Sequence, residues 1–159
     1  MAAIRTAARK KAGKSPRATI PTIKVATVAK SIRGAFPKIK ALHLVGSRLR
    51  HRYGRDLDFV AVVDDLGDVP GRALTLQAGD TKINLFVSLP EEVETHILEF
   101  GLGFDIMRWK RAAIQKGLKL NRYGLWKNGV KVTGSMRKIA QLLGMPLKSH
   151  LVFSLRNPL

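Results

Sequence analysis

The run DLDFVAVV, from Asp56 to Val63, constrains the fold of this chain more than any other segment. Its alternation of β-branched and bulky apolar residues predicts a β-strand. Leu57 and every second residue after it face one side of that strand, while Asp56 and Asp58 begin the other side. The two aspartates then lie with their Cα atoms about 6.5–7 Å apart. The chain must therefore build a sheet that presents two carboxylates side by side at the start of an apolar strand.

The charges are divided into three segments along the chain. Residues 1–55 hold 15 Lys and Arg and no acid, residues 56–105 hold all 11 acids with 2 basic residues, and residues 106–159 hold 12 basic residues and no acid. The formal net charge of +18 favours a polyanionic partner, with nucleic acid ahead of an anionic membrane surface. An acidic centre between basic flanks suits a cation site between phosphate-binding surfaces.

Several classes of protein are excluded or disfavoured. The chain has no cysteine, which excludes disulfides and thiolate metal sites, and its four histidines show no metal-ligand spacing. No apolar run approaches the ~20 residues that a membrane span requires. Residues 1–19 are rich in Ala, Lys and Arg, and they predict a flexible basic arm that binds DNA or RNA, with an organellar transit peptide as the alternative.

The order of predicted elements indicates an α+β fold with a mixed β-sheet in the middle of the chain. A helix from Ile20 to Phe36 precedes this sheet, and the C-terminal part reads as helix, hairpin and helix. Asn128-Gly129 marks that hairpin, and Ser135 caps the last helix, which ends near Leu143. The predicted strands are 41–45, 56–63, 73–77, 81–88, 118–126 and 130–134, and the remaining predicted helices are 90–100 and 104–116.

Two short motifs carry chemistry. Asp56 and Asp58 can share one or two divalent ions, which in pairs about 3.5–4 Å apart hold both the attacking and the leaving oxygen of a phosphoryl transfer. Gly46-Ser47 forms a turn into a helix, where backbone N–H groups, a hydroxyl and the helix dipole suit a triphosphate. Arg50, one turn further on, can reach the same phosphates.

This arrangement resembles the nucleotidyltransferase superfamily, and in particular the family X DNA polymerases, from about Ile39 to Pro158. GSRLR at residues 46–50 is similar to that family's Gly-Ser-x-x-Arg, and DLDFVAV to the segment with its first two catalytic aspartates. Residues 100–129 and the run SMRKIAQLLGMP extend the likeness. It implies a palm subdomain over residues 20–98 and a nucleotide-selecting subdomain over residues 99–159. The short viral members without a lyase domain are the most similar, so we expect no lyase activity and an intracellular, viral or phage-encoded protein.

The likeness breaks at the third carboxylate of the family, where this chain has Asn84. The family role implied there is a ligand to the metal that activates the primer hydroxyl. Asn offers a carbonyl oxygen but no charge and no base. Asp80 and Asp105 are poorly placed to replace it. The resemblance therefore implies a two-ion Mg²⁺ or Mn²⁺ site, bound by Asp56, Asp58 and Asn84, in which one ion is weakened.

The nucleotide-contacting segment also departs from the family pattern. Family members carry an aromatic pair followed by Thr-Gly, whereas this chain has Glu99-Phe100-Gly101-Leu102. Phe100 and Gly101 remain candidates for binding the nucleotide together with Gly46, Ser47 and Arg50, and Phe100 is equally a candidate core residue. Trp109 and Trp126 are expected to pack. The candidate nucleic-acid contacts are Arg108, Lys110, Arg111, Lys116, Lys119 and Arg122.

These observations support three functions. The first is a small metal-dependent DNA polymerase that adds deoxynucleotides to a primer in gapped DNA. We expect it to act as a monomer and to have no membrane partner. The second is a template-independent nucleotidyltransferase. The third is a catalytically impaired or inactive nucleic-acid-binding protein on this scaffold, which the replacement of a carboxylate by Asn84 favours.

Overall fold

The computed structural model describes residues 4–6, 25–50 and 56–159, apart from the side chains of Arg5, Thr6 and Arg50. The strands are β1 Ile4–Thr6, β2 Ala41–Val45, β3 Asp56–Val62, β4 Ala73–Ala78, β5 Thr81–Ser88, β6 Lys119–Asn121, β7 Gly124–Lys127 and β8 Val130–Thr133. The helices are α1 Val25–Ala35, α2 Ser47–Arg50, α3 Val93–Gly101, α4 Ile106–Gln115, α5 Met136–Leu143 and α6 Ser149–Arg156. Short 3₁₀ turns occupy Leu66–Asp68, Pro90–Glu92 and Gly103–Asp105.

A five-stranded mixed sheet with the order β1-β4-β5-β3-β2 forms the centre of the molecule, as the α+β pattern predicts. β3 is antiparallel to β2 and parallel to β5, so it is hydrogen-bonded on both sides. The predicted strands β4 and β5 form a hairpin across Gly79 and Asp80. The strand that carries the two aspartates is thus an interior strand.

The sheet also has an edge strand that the prediction of a flexible arm over residues 1–19 missed. Ile4–Thr6 pair antiparallel with β4, from Ile4 opposite Ala78 to Thr6 opposite Leu76. Ile4 packs against the core of the sheet. Without β1, β4 would be the edge strand, and it offers β1 both unpaired backbone groups and an apolar face. The rest of that arm and the start of the predicted helix, residues 20–24, lie outside the described residues.

The sheet is covered on both faces by hydrophobic clusters. Leu57, Phe59 and Ala61 belong to the cluster that α1 covers through Ile32. Val60 belongs to the other cluster, together with residues of α3 to α6. The alternation predicted for β3 is therefore confirmed, and it separates two cores.

The C-terminal part differs from the predicted helix, hairpin and helix. The run from Lys119 to Lys127 is two strands, β6 and β7, so with β8 it forms a three-stranded antiparallel sheet. The break arises because the Oδ1 of Asn121 accepts hydrogen bonds from the N–H of Tyr123 and from Nε1 of Trp126, which closes a turn before Gly124 at φ 152°. Ser135 caps α5 as predicted, through the N–H of Lys138, and Gly144 ends it at φ 65°.

A further helix, α6, follows α5 and was not predicted. It begins after Lys148 without a side-chain cap, so the sequence carries no start signal for it. Long-range contacts hold it on β2: Ser154 Oγ donates to the carbonyl of Leu44 at 2.6 Å, and Nδ1 of His43 lies 2.8 Å from the carbonyl of Ser154. The C-terminal part is thereby attached to the central sheet. No helix in the described part of the chain is long and apolar enough to cross a membrane.

Candidate functional site

The candidate site lies on one face of the central sheet, where β3 begins. Asp56 and Asp58 are both half-buried on this face, and the next residue along it, Val60, is fully buried. The pleat of the strand places both carboxylates on the same side. The buried continuation of the strand fixes their backbone, and the partial exposure leaves them accessible to a ligand.

The neighbouring strands add polar side chains to the same face. Lys82 lies in register with Asp56, and Asn84 lies in register with Asp58, across the parallel pair β3–β5. Nδ2 of Asn84 donates a 2.7 Å hydrogen bond to Oδ1 of Asp58. On the far side, the hydroxyl of Thr75 on β4 donates to Oδ1 of Asn84 at 3.5 Å. Sequence reasoning missed Thr75, which only the β4–β5 register reveals.

Gly46 closes the site from the end of β2. Its φ of 75° is a left-handed conformation that favours glycine. A Cβ at this position would lie 2.9 Å from the Cβ of Asp58, so the backbone of the turn lies directly against the aspartate. Ser47 then begins α2 and is half-buried. The expected Gly-Ser turn and the Asp-x-Asp pair are therefore in contact.

The N–H of Gly46 is not available to a phosphate, because it donates to the carbonyl of Phe100 at 3.1 Å. The N–H of Leu49 donates to the carbonyl of Gly46 at 3.2 Å. The N–H groups of Ser47 and Arg48, at the start of α2, are those that a helix leaves without partners within itself. The side chain of Arg50, expected to reach the same phosphates, lies outside the described part of the chain, as do residues 51–55.

Phe100 is engaged in packing beside the site. Its ring stacks on Phe86 with a centroid distance of 3.6 Å and an interplanar angle of 7°, and the guanidinium of Arg122 lies 5.2 Å from the Phe100 centroid. Phe86 is two residues after Asn84 on the same strand face. Gly101 is buried, and a Cβ there would meet the side chain of Leu151 on α6. These contacts join the site to the C-terminal part.

The predicted nucleic-acid contacts fall into two groups. Arg108, Arg111, Lys116 and Lys119 are exposed. Lys110 instead forms a 2.8 Å ion pair with Glu99, and Arg122 is held on Phe100. The first group is thus the one that faces solvent.

A cavity of about 440 Å³ lies beside α4, with Arg108 and Arg111 on its wall. Lys148 and Gln115 contribute further polar groups, and Trp109 forms part of the apolar lining. Trp109 is itself buried, as expected for a packing residue. Lys148 was not singled out from the sequence, because the loop after α5 reaches this cavity only through the tertiary fold.

A polar cluster around the buried His96 joins α3 to the turn after β6. Arg72 forms a 2.8 Å ion pair with Glu92, and its guanidinium lies 5.0 Å from the ring centroid of Tyr123. His96 packs edge-on against Tyr123 at 5.6 Å. Burial lowers the pKa of His96 below its usual value; the backbone carbonyl and the charge of Glu92 oppose this in part, and the nearby Arg72 and Arg122 lower the pKa further.

The donor set at the site fits one hard divalent cation. Asp56 and Asp58 offer carboxylate oxygens, which Mg²⁺ and Mn²⁺ prefer. The carbonyl oxygen of Asn84 faces Thr75 instead of the carboxylates. Among the described residues, no group of three or more His, Cys, Asp or Glu side chains is placed to hold a metal.

Comparison of the whole chain with known proteins identifies the fold. No protein-family model matches the sequence, and no curated protein matches it. Among solved structures, it is similar to polymerase beta of Leishmania infantum, described as a ternary P/T complex, with a TM-score of 0.60 and 16% sequence identity. The match covers 79% of this chain and 72% of that chain. The chain therefore has a polymerase beta-like fold, as the resemblance in sequence implied.

Proposed function

We propose that the protein is a metal-dependent nucleotidyltransferase, a small DNA polymerase that adds deoxynucleotides to a primer in gapped DNA. The observation that carries this proposal is the contact between the Gly46 turn and Asp58, next to Asp56, on the half-exposed end of an interior strand. The polymerase beta-like fold supports it. So does the description of the similar structure as a ternary complex.

Asp56 and Asp58 are the residues that would hold Mg²⁺ or Mn²⁺. When bound, the cation offsets the charge of a triphosphate and stabilises its displacement. Ser47 and the first turn of α2 face the phosphates, with Arg50 as the expected third contact. Asn84 occupies the third position of the site but acts on Asp58 through its amide.

The DNA contacts belong to the basic residues outside the site. With a net charge of +18 and all acids confined to residues 56–105, the flanking segments are suited to the phosphate backbone. In this proposal residues 20–98 form the palm, residues 99–159 select the nucleotide, and the protein acts as a monomer. The exposed residues Arg108 and Arg111 on α4 are among the described side chains that are free to bind DNA in this proposal.

Single-nucleotide incorporation on a gapped duplex tests the proposal. Wild type should extend the primer with the templated nucleotide in Mg²⁺ or Mn²⁺. Asp56→Asn should lower the rate by more than the about 10–100-fold that is typical for loss of a residue supporting a metal ligand. Asp64→Asn is the matched control, because Asp64 is exposed and forms a surface ion pair with Lys40. Wild-type incorporation by Asp56→Asn would refute the assignment.

A second candidate function is nucleic-acid binding without turnover. The hydrogen bond from Asn84 to Asp58 favours it, because a neutral amide takes the place of a third carboxylate. This function predicts salt-sensitive DNA binding with no incorporation in either metal, together with a gain of incorporation in Asn84→Asp. Incorporation by wild type would exclude it.

A further inference from the structure

Asn84 is oriented by the groups on its two sides. Its Nδ2 donates to the carboxylate of Asp58 at 2.7 Å, and its Oδ1 faces the hydroxyl of Thr75 at 3.5 Å. The reversed amide would direct its carbonyl oxygen at an ionised carboxylate, which can only accept hydrogen bonds. Two acceptors would then face each other. The charge of Asp58 therefore keeps the N–H side of the amide directed at the site.

This orientation has a consequence for cation binding. A divalent ion needs oxygen ligands and negative charge, whereas the N–H side of an amide carries partial positive charge. Oδ1 of Asp58 is already engaged by that N–H group. On the adjacent register position, the exposed cation Lys82 lies next to Asp56. The site thus provides two carboxylates beside one amide donor, with a lysine at the neighbouring register position.

Two ions about 3.5–4 Å apart repel each other strongly and need carboxylates to offset that repulsion. Asp56 and Asp58 can offset one dication, but a second would lie against the N–H side of Asn84. We propose that the site binds a single divalent cation through Asp56 and Asp58, and that Asn84 is a positioning residue that holds Asp58 for it. This inference rests on the proposed function and departs from the two-ion site expected from the sequence.

Counting Mn²⁺ ions tests the number of cations without measuring turnover. Mn²⁺ is titrated into each protein at a saturating concentration of a non-hydrolysable deoxynucleoside triphosphate, and free Mn²⁺ is followed by electron paramagnetic resonance. In each protein, an ion is counted only if its binding is lost when Asp56→Asn is added to that protein. We expect one such ion in wild type and two in Asn84→Asp. Asn128→Asp is the matched control and should bind one ion, because it makes the same change in an exposed turn.

Asn84→Ala tests the positioning role. Loss of the amide should weaken Mn²⁺ binding by about 10–100-fold, as for other residues that orient a metal ligand. Asn84→Asp should restore affinity. Thermal unfolding of each variant shows whether it is folded, and Thr75→Val provides a second, milder way to loosen the amide.

Each outcome has a defined meaning. Two ions in wild type, one ion in Asn84→Asp, or unchanged affinity in folded Asn84→Ala would overturn the inference and leave the proposed function standing. If wild type binds no Mn²⁺ ion that Asp56→Asn removes, both the inference and the proposed function fail.

Discussion

The backbone of Gly46 lies directly against the side chain of Asp58, so that a Cβ at Gly46 would be 2.9 Å from the Cβ of the aspartate and closer still to its carboxylate. Gly46 is also held from the other side, where its N–H donates to the carbonyl of Phe100. The turn therefore cannot move away from Asp58 without breaking a contact with α3. Glycine is required here for two separate reasons, its positive φ and the space it leaves.

Gly46→Ala should therefore cost both stability and activity. A left-handed alanine costs about 1–2 kcal/mol, and displacing Asp58 adds to that and should strongly reduce nucleotide incorporation. Gly129→Ala is the matched control, since its φ of 78° is nearly the same as that of Gly46 and nothing lies within 4 Å of its Cβ position. The difference between the two variants in urea unfolding isolates the contact with Asp58. Equal losses of stability and full activity in both would contradict this.

Gly101→Ala should loosen the attachment of α6. A Cβ at Gly101 would meet the side chain of Leu151, and overpacking of this kind costs about 1–3 kcal/mol. Gly34→Ala, on the exposed side of α1 with open space around it, should instead stabilise the protein by up to about 1 kcal/mol. Thermal unfolding of both variants measures the contrast. Destabilisation by Gly34→Ala as well would show that the effect is not specific to the α3–α6 contact.

The buried histidines should make stability depend on pH. Burial lowers the pKa of His43, opposed only in part by the carbonyl of Ser154, and burial lowers the pKa of His96 in the same direction. The unfolded chain therefore binds protons more readily, so the free energy of unfolding should fall as the pH drops below about 6.5. Above that pH both residues are neutral in the folded and in the unfolded chain, so they cause no further change in the free energy of unfolding with pH.

His43→Asn tests this dependence, because its amide can donate to Ser154 in place of Nδ1 but does not titrate. Urea unfolding between pH 7.5 and 5 should show a smaller loss of stability than in wild type. The double variant with His96→Asn should reduce the loss further. A pH dependence that both substitutions leave unchanged would assign it to other groups.

DNA binding should distinguish the exposed arginines of α4 from the paired lysine. Arg108→Gln and Arg111→Gln should each weaken binding and reduce the slope of log affinity against log salt by about one. Lys110→Gln is the matched control on the same helix and should change the slope less, because Lys110 is paired with Glu99. Fluorescence anisotropy with a gapped duplex at several salt concentrations measures all three. Equal changes in all three slopes would show that the ion pair does not withhold Lys110 from DNA.

Local sequence patterns determined several elements of this protein. The alternation from Leu57 to Val63 specified β3 and its two faces, Asn128-Gly129 specified the turn between β7 and β8, and Ser135 specified the start of α5. Each of these signals is a preference of a few neighbouring residues for one backbone conformation. The spacing of Asp56 and Asp58 also ensured that both would share a face, because the side-chain period of a strand is two.

Only the tertiary structure decided how the site is assembled. The pairing of Asn84 with Asp58 depends on the register of β3 and β5, and Thr75 enters only through β4. The pairing of Ile4–Thr6 with β4 and the docking of α6 on β2 have no local signal, since both depend on backbone groups and apolar surfaces offered by distant parts of the chain. The engagement of Lys110 by Glu99 is of the same kind. Residue types and periods therefore predicted which groups the site would contain, while strand register and helix packing decided which of them touch.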